Sequence, residues 1–281
     1  MGGLSKKAFL IKSLINDPQL PALVVTGGNL LFKMDRLEPG TAETAKIAAD
    51  GVLQANQKMG ATFAGIGTQD LAAGIAFLRQ SQKPTAFTWL SLNLVDPASH
   101  QPLFTPVLHR QVGGVKIAIL ALTDHTAFPN GPGEFQVADW RSALPEALAK
   151  MDKDVACTLL LSNYSLSENM EIARKHSSID LILQSGHAIG NMTPTVVNKT
   201  LIAQTEIRGK YLGVMDIDWN GQGKWSEGAT SPQVREKDQP ASTYANRFIA
   251  LKQSLVSDPE IEALVRQTQR SIDKLQYGQK P

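Results

Sequence analysis

Four short stretches collect the side chains with chemical potential: Gly27-Gly28-Asn29, Gly65-Ile66-Gly67-Thr68-Gln69-Asp70, Leu161-Ser162-Asn163-Tyr164 and Gln184-Ser185-Gly186-His187-Ala188-Ile189-Gly190. Each follows an apolar run and sets amide, hydroxyl, carboxylate or imidazole groups beside small residues. Carboxylate, imidazole and amide groups are those that hold divalent metals. Taken singly, each stretch also reads as a turn with local capping, because Gly, Asn, Ser and Asp are what turns use. Asp124-His125 follows the run Ile117 to Leu122 and is a further candidate dyad at the same end of a sheet. Against it, neighbours in sequence seldom face each other productively.

The remaining histidines have plainer readings. His100 lies in a loop with Pro and Ser, His109 in a polar hairpin strand, and His176 beside Lys175 at a helix end. There is no Gly-x-Gly-x-x-Gly after the first strand, no P-loop lysine, no Gly-x-Ser-x-Gly and no His-Glu-x-x-His, which sets aside the site types those motifs announce. Cys157, the one cysteine, sits in the apolar run Val155 to Leu161 and reads as a small buried side chain.

The elements that must position these loops alternate between strand and helix. Helical spacing marks Leu4 to Ile15, Thr41 to Met59, the stretch carrying Leu71, Ile75 and Leu78, Arg141 to Met151, and Glu168 to His176. Strands are expected at Leu23 to Thr26, Thr62 to Ile66, within Thr85 to Val95, at Val155 to Leu161, Asp180 to Leu183, Val196 to Thr205 and Gly213 to Trp219. Leu108 to Val112 and Val115 to Leu122 form a hairpin through Gly113-Gly114. Gly221 to Pro240 reads as a polar loop. Asp258-Pro259-Glu260 then opens a helix, with Asp as N-cap, Pro in the first turn and acids at the positive dipole end. Ile261, Leu264, Val265, Thr268, Ile272 and Leu275 form its apolar stripe, which either folds back on the domain or is offered to another chain. Strand-helix alternation with antiparallel interruptions predicts a mixed α/β fold, in which sites gather where loops leave the C-terminal ends of strands.

Composition narrows the function classes. The chain has 281 residues, 42% of them hydrophobic and 19% charged, which suits an ordinary globular protein with a substantial core. Twenty-eight Lys and Arg against 26 Asp and Glu leave a net charge of +2. That balance gives no footing for nucleic acid or an anionic membrane surface, and Trp89, Trp140, Trp219 and Trp225 are not interleaved with basic residues. No apolar run is long enough to span a bilayer, and the segment Met-Gly-Gly-Leu-Ser-Lys-Lys lacks the apolar stretch of a signal peptide. The expectation is a cytoplasmic protein or a trimmed chain.

The order and spacing of the loops carry more than any one of them. With Leu92-Asn93-Leu94, Gly114 to Leu120 and Gly209-Lys210-Tyr211-Leu212-Gly213, they resemble the catalytic domain of the 5′-nucleotidase-type (calcineurin-like) metallophosphoesterases. Gly2-Gly3-Leu4-Ser5-Lys6 is similar to the family's opening Gly-Gly-x-x-(Lys/Arg) helix. Gly67-Thr68-Gln69-Asp70 with Gly74 falls at its Gly-Asn-His-Glu loop, Ser162-Asn163 at its Ser-His loop, and Gly186-His187-Ala188-Ile189 at its Gly-His-x-His loop. The resemblance covers roughly residues 2 to 277 and implies a single domain of that extent: an αββα sandwich of mixed sheets flanked by helices, closed by the helix at 258–277.

The resemblance also implies a site with two divalent metals about 3.5–4 Å apart that activate a water and clamp phosphate oxygens. This sequence departs from it at most ligand positions. The bridging aspartate is replaced by Gly28, followed by Asn29; the Asn-His pair by Thr68-Gln69, followed by Asp70. Asn163 stands for a histidine, and the last His-x-His keeps His187 but has Ile189. The family's first strand, with its Asp-x-His pair, would precede Gly2, and its C-terminal nucleotide-binding domain would follow Pro281. Without the bridging carboxylate, two close cations repel strongly. The expectation is therefore a degenerate, non-catalytic member that needs no cofactor and acts as a binding or assembly module. It would have a protein partner of unknown identity, no nucleic acid and no membrane insertion. The alternative is a metal-dependent phosphohydrolase of the 5′-nucleotidase class, using Mn, Zn or Mg on nucleotides or related phosphate esters. An enzyme with new chemistry in the same cleft is a third reading. Resemblance also implies a periplasmic or extracellular address if the chain is trimmed.

Overall fold

A computed structural model describes residues 3–17, 19–82, 87–129, 133–187, 189–206, 209–221, 225–227 and 242–278. Its centre is a six-stranded sheet ordered β4 (Val107–Val112), β5 (Val115–Leu122), β7 (Cys157–Ser162), β8 (Leu181–Gln184), β10 (Thr200–Gln204) and β9 (Met192–Val197). The four middle strands are parallel, and the two edges run antiparallel to their neighbours. Gly113 and Gly114, both at positive φ, make the tight turn between β4 and β5.

The middle strands bury both faces, and their period of two sorts side chains between two cores. Ala118, Leu120, Leu122, Leu160, Ile182 and Ile202 pack against Trp140 and Leu144 of α4 (Trp140–Ala149) and Ile172 and Ala173 of α5 (Leu166–Lys175). Ile119, Ala121, Leu159, Leu161, Leu181 and Leu201 meet Phe63, Leu90 and Tyr244 on the other face. Phe63 and Leu90 belong to the parallel pair β1 (Phe63–Gly65) and β2 (Thr88–Leu90). The far side of that pair packs Ala64 and Trp89 against α2 (Ala42–Lys58) and α3 (Gly74–Gln82). Helices thus cover the outer faces of two stacked β layers, the αββα arrangement. A short antiparallel pair, β3 (Leu94–Val95) with β6 (Gln136–Val137), lies beside them.

The closing helix α6 (Pro259–Tyr277) starts as its sequence dictates: the Asp258 carboxylate accepts from the Ile261 N–H, with Pro259 in the first turn. It folds back on α1 (Leu4–Ile15) and α2. Ile261 is fully buried among Ala8, Ile11, Ala55 and Met59, with Leu264 beside them. Lys12 pairs with Asp258 at 2.8 Å and with Glu260 at 3.1 Å, and the Asp258 N–H donates to the Ser5 carbonyl. The stripe is buried at its start only, since Val265 and Leu275 stay exposed.

Three expectations need correction. Leu23 to Thr26 is extended but forms no strand; only Thr26 bridges, to Ala64. Its side chains alternate between two cores, Leu23 and Val25 into one and Val24 into the other, so packing holds it without a ladder. Val196 to Thr205 is two strands rather than one, because Asn198 takes a left-handed conformation and turns β9 back into β10. The polar stretch 221–240 contains β12 (Trp225–Glu227), which pairs parallel with β13 (Ser242–Ala250); β13 pairs in turn with β11 (Tyr211–Asp218). The rest of that stretch, 222–224 and 228–240, lies outside the described residues, as does Gly2.

Candidate functional site

Parallel pairing of β5, β7 and β8, and of β1 with β2, sends their C-terminal ends to one edge of the sandwich. Thr26 bridges β1 in the same sense and delivers Gly27-Gly28-Asn29 there. This edge carries all eight site positions expected from the sequence: Gly28, Asn29, Thr68, Gln69, Asp70, Asn163, His187 and Ile189.

Seven of them engage one another or a neighbour. Asp70 is fully buried, and its carboxylate accepts four backbone N–H groups: Asn29 at 2.7 Å and Gly67 at 2.9 Å on one oxygen, Leu30 at 2.7 Å and Leu31 at 2.9 Å on the other. Burial pushes its pKa up to about 6, against the pull of those four donors toward the ionised form. Asn29 returns the contact, its Oδ1 accepting from the Gln69 N–H at 3.1 Å. Buried Asn163 accepts from the Thr68 N–H at 2.9 Å through Oδ1 and donates through Nδ2 to Ser185 Oγ at 3.3 Å. Ser185 Oγ reaches the Gly27 carbonyl at 3.0 Å. Gly28 has φ 129°, and a Cβ there would lie 3.0 Å from the Gly67 nitrogen and 3.2 Å from Ser185 Oγ. Only glycine fits that conformation and spacing without strain.

The other side of the edge is built differently. His187 Nε2 lies 3.1 Å from Oδ2 of buried Asp124, while the imidazole itself is largely exposed. Asp124 Oδ1 accepts from both the N–H and the hydroxyl of Thr126. His125 turns away from Asp124: its Nδ1 lies 2.8 Å from the hydroxyl of buried Tyr164, and its Nε2 is 3.7 Å from Asp139. Burial raises the Tyr164 pKa, which keeps the phenol protonated. The sequence therefore paired Asp124 with the wrong histidine. The usable signal was strand order: β5 and β8 flank β7, so an Asp two residues past β5 and a His three past β8 end near each other. Beneath both sides, buried Asn93 donates to the Thr123 and Ala138 carbonyls and accepts from the Thr123 N–H. Ile189 is 98% exposed and touches none of this.

In comparison with solved structures, the chain superposes on the Thermus thermophilus sulfate thiohydrolase SoxB with a TM-score of 0.75, at 19% identity, over 96% of this chain and 47% of that one. A 5′-nucleotidase precursor from the same organism gives 0.73 at 17% identity over 98% and 54%. The Bacillus subtilis calcineurin-like phosphoesterase YfkN gives 0.71 at 17% identity over 99% and 91%. The fold is that of the 5′-nucleotidase-type metallophosphoesterases. No family model matches the sequence. Among curated proteins, UshA of Yersinia enterocolitica is 25% identical over 291 residues, 90% of this chain and 53% of that protein. The chain thus spans about half the length of the curated relative it matches.

On a metallophosphoesterase fold, the donor set of this edge does not fit a dinuclear metal centre. Gly28 offers no ligand. Both Asp70 oxygens and both ends of the Asn163 amide are already engaged, and the imidazole of His187 is tied to Asp124 through one nitrogen. Among the described residues, no three His, Cys, Asp or Glu side chains converge as a ligand group. Cys157 is also set apart: burial, helped by the charge of Asp180, pushes its pKa up to about 12.

Proposed function

We propose that this metallophosphoesterase-like domain is non-catalytic and works through its surface, as a binding or assembly module for a protein partner. The observation that carries the reading is Gly28. At the position where the family resemblance puts the carboxylate between two metals, there is no side chain, and the surrounding loops are packed against the bare backbone. Fold alone does not imply function, and what favours a silent site is a network whose polar groups satisfy one another. A divalent metal is accordingly not part of the reading, and neither is binding to nucleic acid.

The test is hydrolysis of nucleoside monophosphates and of a generic aryl phosphate with manganese, zinc or magnesium added. The expected rate is background with all three. Turnover that disappears in His187→Ala would overturn the proposal, because it would tie catalysis to this edge.

One observation favours the second reading, a metal-dependent phosphohydrolase acting on nucleotides or related esters. His187, the histidine retained from the family pattern, is backed by a buried carboxylate, Asp124, an arrangement that orients a ligating or proton-handling imidazole. Among the described residues no helix is long and apolar enough to cross a membrane. A periplasmic or extracellular place of work belongs to this proposal through the family resemblance, and fractionation of the native host would test it.

A further inference from the structure

Asp70 is fully buried, and its carboxylate accepts from four backbone amides. Three of those amides are consecutive, Asn29, Leu30 and Leu31, and they converge because Gly28 and Asn29 both sit at positive φ. Successive N–H groups folded into such a concavity make an anion-binding nest. The fourth donor, Gly67, comes from a loop about forty residues away in sequence, so a single carboxylate ties two loops together. The tie is reciprocal, since Asn29 Oδ1 accepts from the Gln69 N–H.

We infer that residues 28–31 with Gly67 form a carboxylate-binding nest whose resident anion is the tethered side chain of Asp70, and that this anion organises the two loops it ties at the strand-end edge. The geometry explains why a carboxylate is required. Each oxygen of Asp70 accepts two N–H groups. Asparagine has nearly the same shape, but in either orientation its NH2 would face two donors, leaving them buried and unpaired. Glycine would vacate the nest and leave a space shaped for the carboxylate of formate or acetate. The inference is independent of whether the domain hydrolyses anything.

The experiment compares wild type, Asp70→Asn and Asp70→Gly by thermal unfolding, and by refolded fraction after dilution from denaturant. The Asn variant should melt about 10 °C or more below wild type. The Gly variant should also be weakened, and formate or acetate should raise its midpoint or its refolded fraction, with chloride at matched ionic strength doing neither. Wild type should be indifferent to formate. An Asp70→Asn variant that keeps the wild-type midpoint would overturn the inference. So would an Asp70→Gly variant whose midpoint and refolding respond to formate no differently from wild type.

Discussion

The two sides of the strand-end surface solve the same problem in opposite ways. Around Gly28 and Asp70 the loops approach so closely that backbone amides and side chains satisfy one another, with a buried carboxylate at the centre. Around Asp124 and His187 a buried carboxylate meets an imidazole that still faces solvent. The first side is structural and should respond to mutation through stability. The second should add little to stability, and any residual reactivity would have to reside there. Close packing of polar loops removes the vacancies a ligand needs, whereas one exposed polar pair leaves them.

The sharpest way to break this contrast is to install at position 28 the carboxylate that the family resemblance places there. Gly28→Asp forces an L-residue to φ near 129° with its Cβ 3.0 Å from the Gly67 nitrogen. It should cost about 3 kcal/mol and bring no tight manganese binding, as read by denaturant melts and calorimetric titration. A variant of wild-type stability that captures manganese would show that this edge can hold a metal after all. Next in size is Asn163→Ala, which strands the Thr68 N–H and removes the link to Ser185. A loss of about 2 kcal/mol is expected in the same melts.

A carboxylate at the other end of β8 serves as a control for the tied one. Asp180 is buried like Asp70 but, among the described residues, its carboxylate accepts a single N–H, from Thr158, and its pKa is pushed up to about 7 by burial. A raised pKa means that the folded state holds a proton the unfolded chain releases near pH 4. The associated stability is complete below that pH and is lost as pH rises through about 7. Asp180→Asn keeps an acceptor for Thr158 and should flatten that decline. Unfolding curves between pH 4 and pH 8 would show it, and an unchanged slope would contradict the assignment. The smallest effect belongs to the open side. His187→Ala should change stability by less than about 1 kcal/mol, which a denaturant melt resolves from the Asn163→Ala loss.

Much of this architecture was legible from residues alone. The helices at α1, α2 and α6 appear where apolar spacing and caps placed them, and Asp258 caps α6 as its position before Pro259 implies. The β4–β5 hairpin followed from its Gly-Gly turn. What escaped was set by tertiary partners. Ser242 to Ala250 fully buries only Ser242 and Tyr244, with Asn246 and Arg247 interrupting the apolar pattern, so β13 left little signal. Leu23 to Val25 has strand composition without a strand partner. At the candidate site, the sequence named eight positions but not their contacts. A lone Asp70 in a turn does not announce that it will accept four amides, three of them from about forty residues earlier. Nor does Asp124-His125 announce that the aspartate serves His187 instead.

Absence of a dinuclear centre from this metallophosphoesterase scaffold is the proposal on which the silent-site reading depends. Its most direct test is metal content, by elemental analysis of protein purified without chelators and again after dialysis against manganese and zinc. Well under one equivalent of any divalent metal is expected, with a thermal midpoint that chelator leaves unchanged. Two equivalents retained per chain, lost together with thermal stability on chelation, would contradict it.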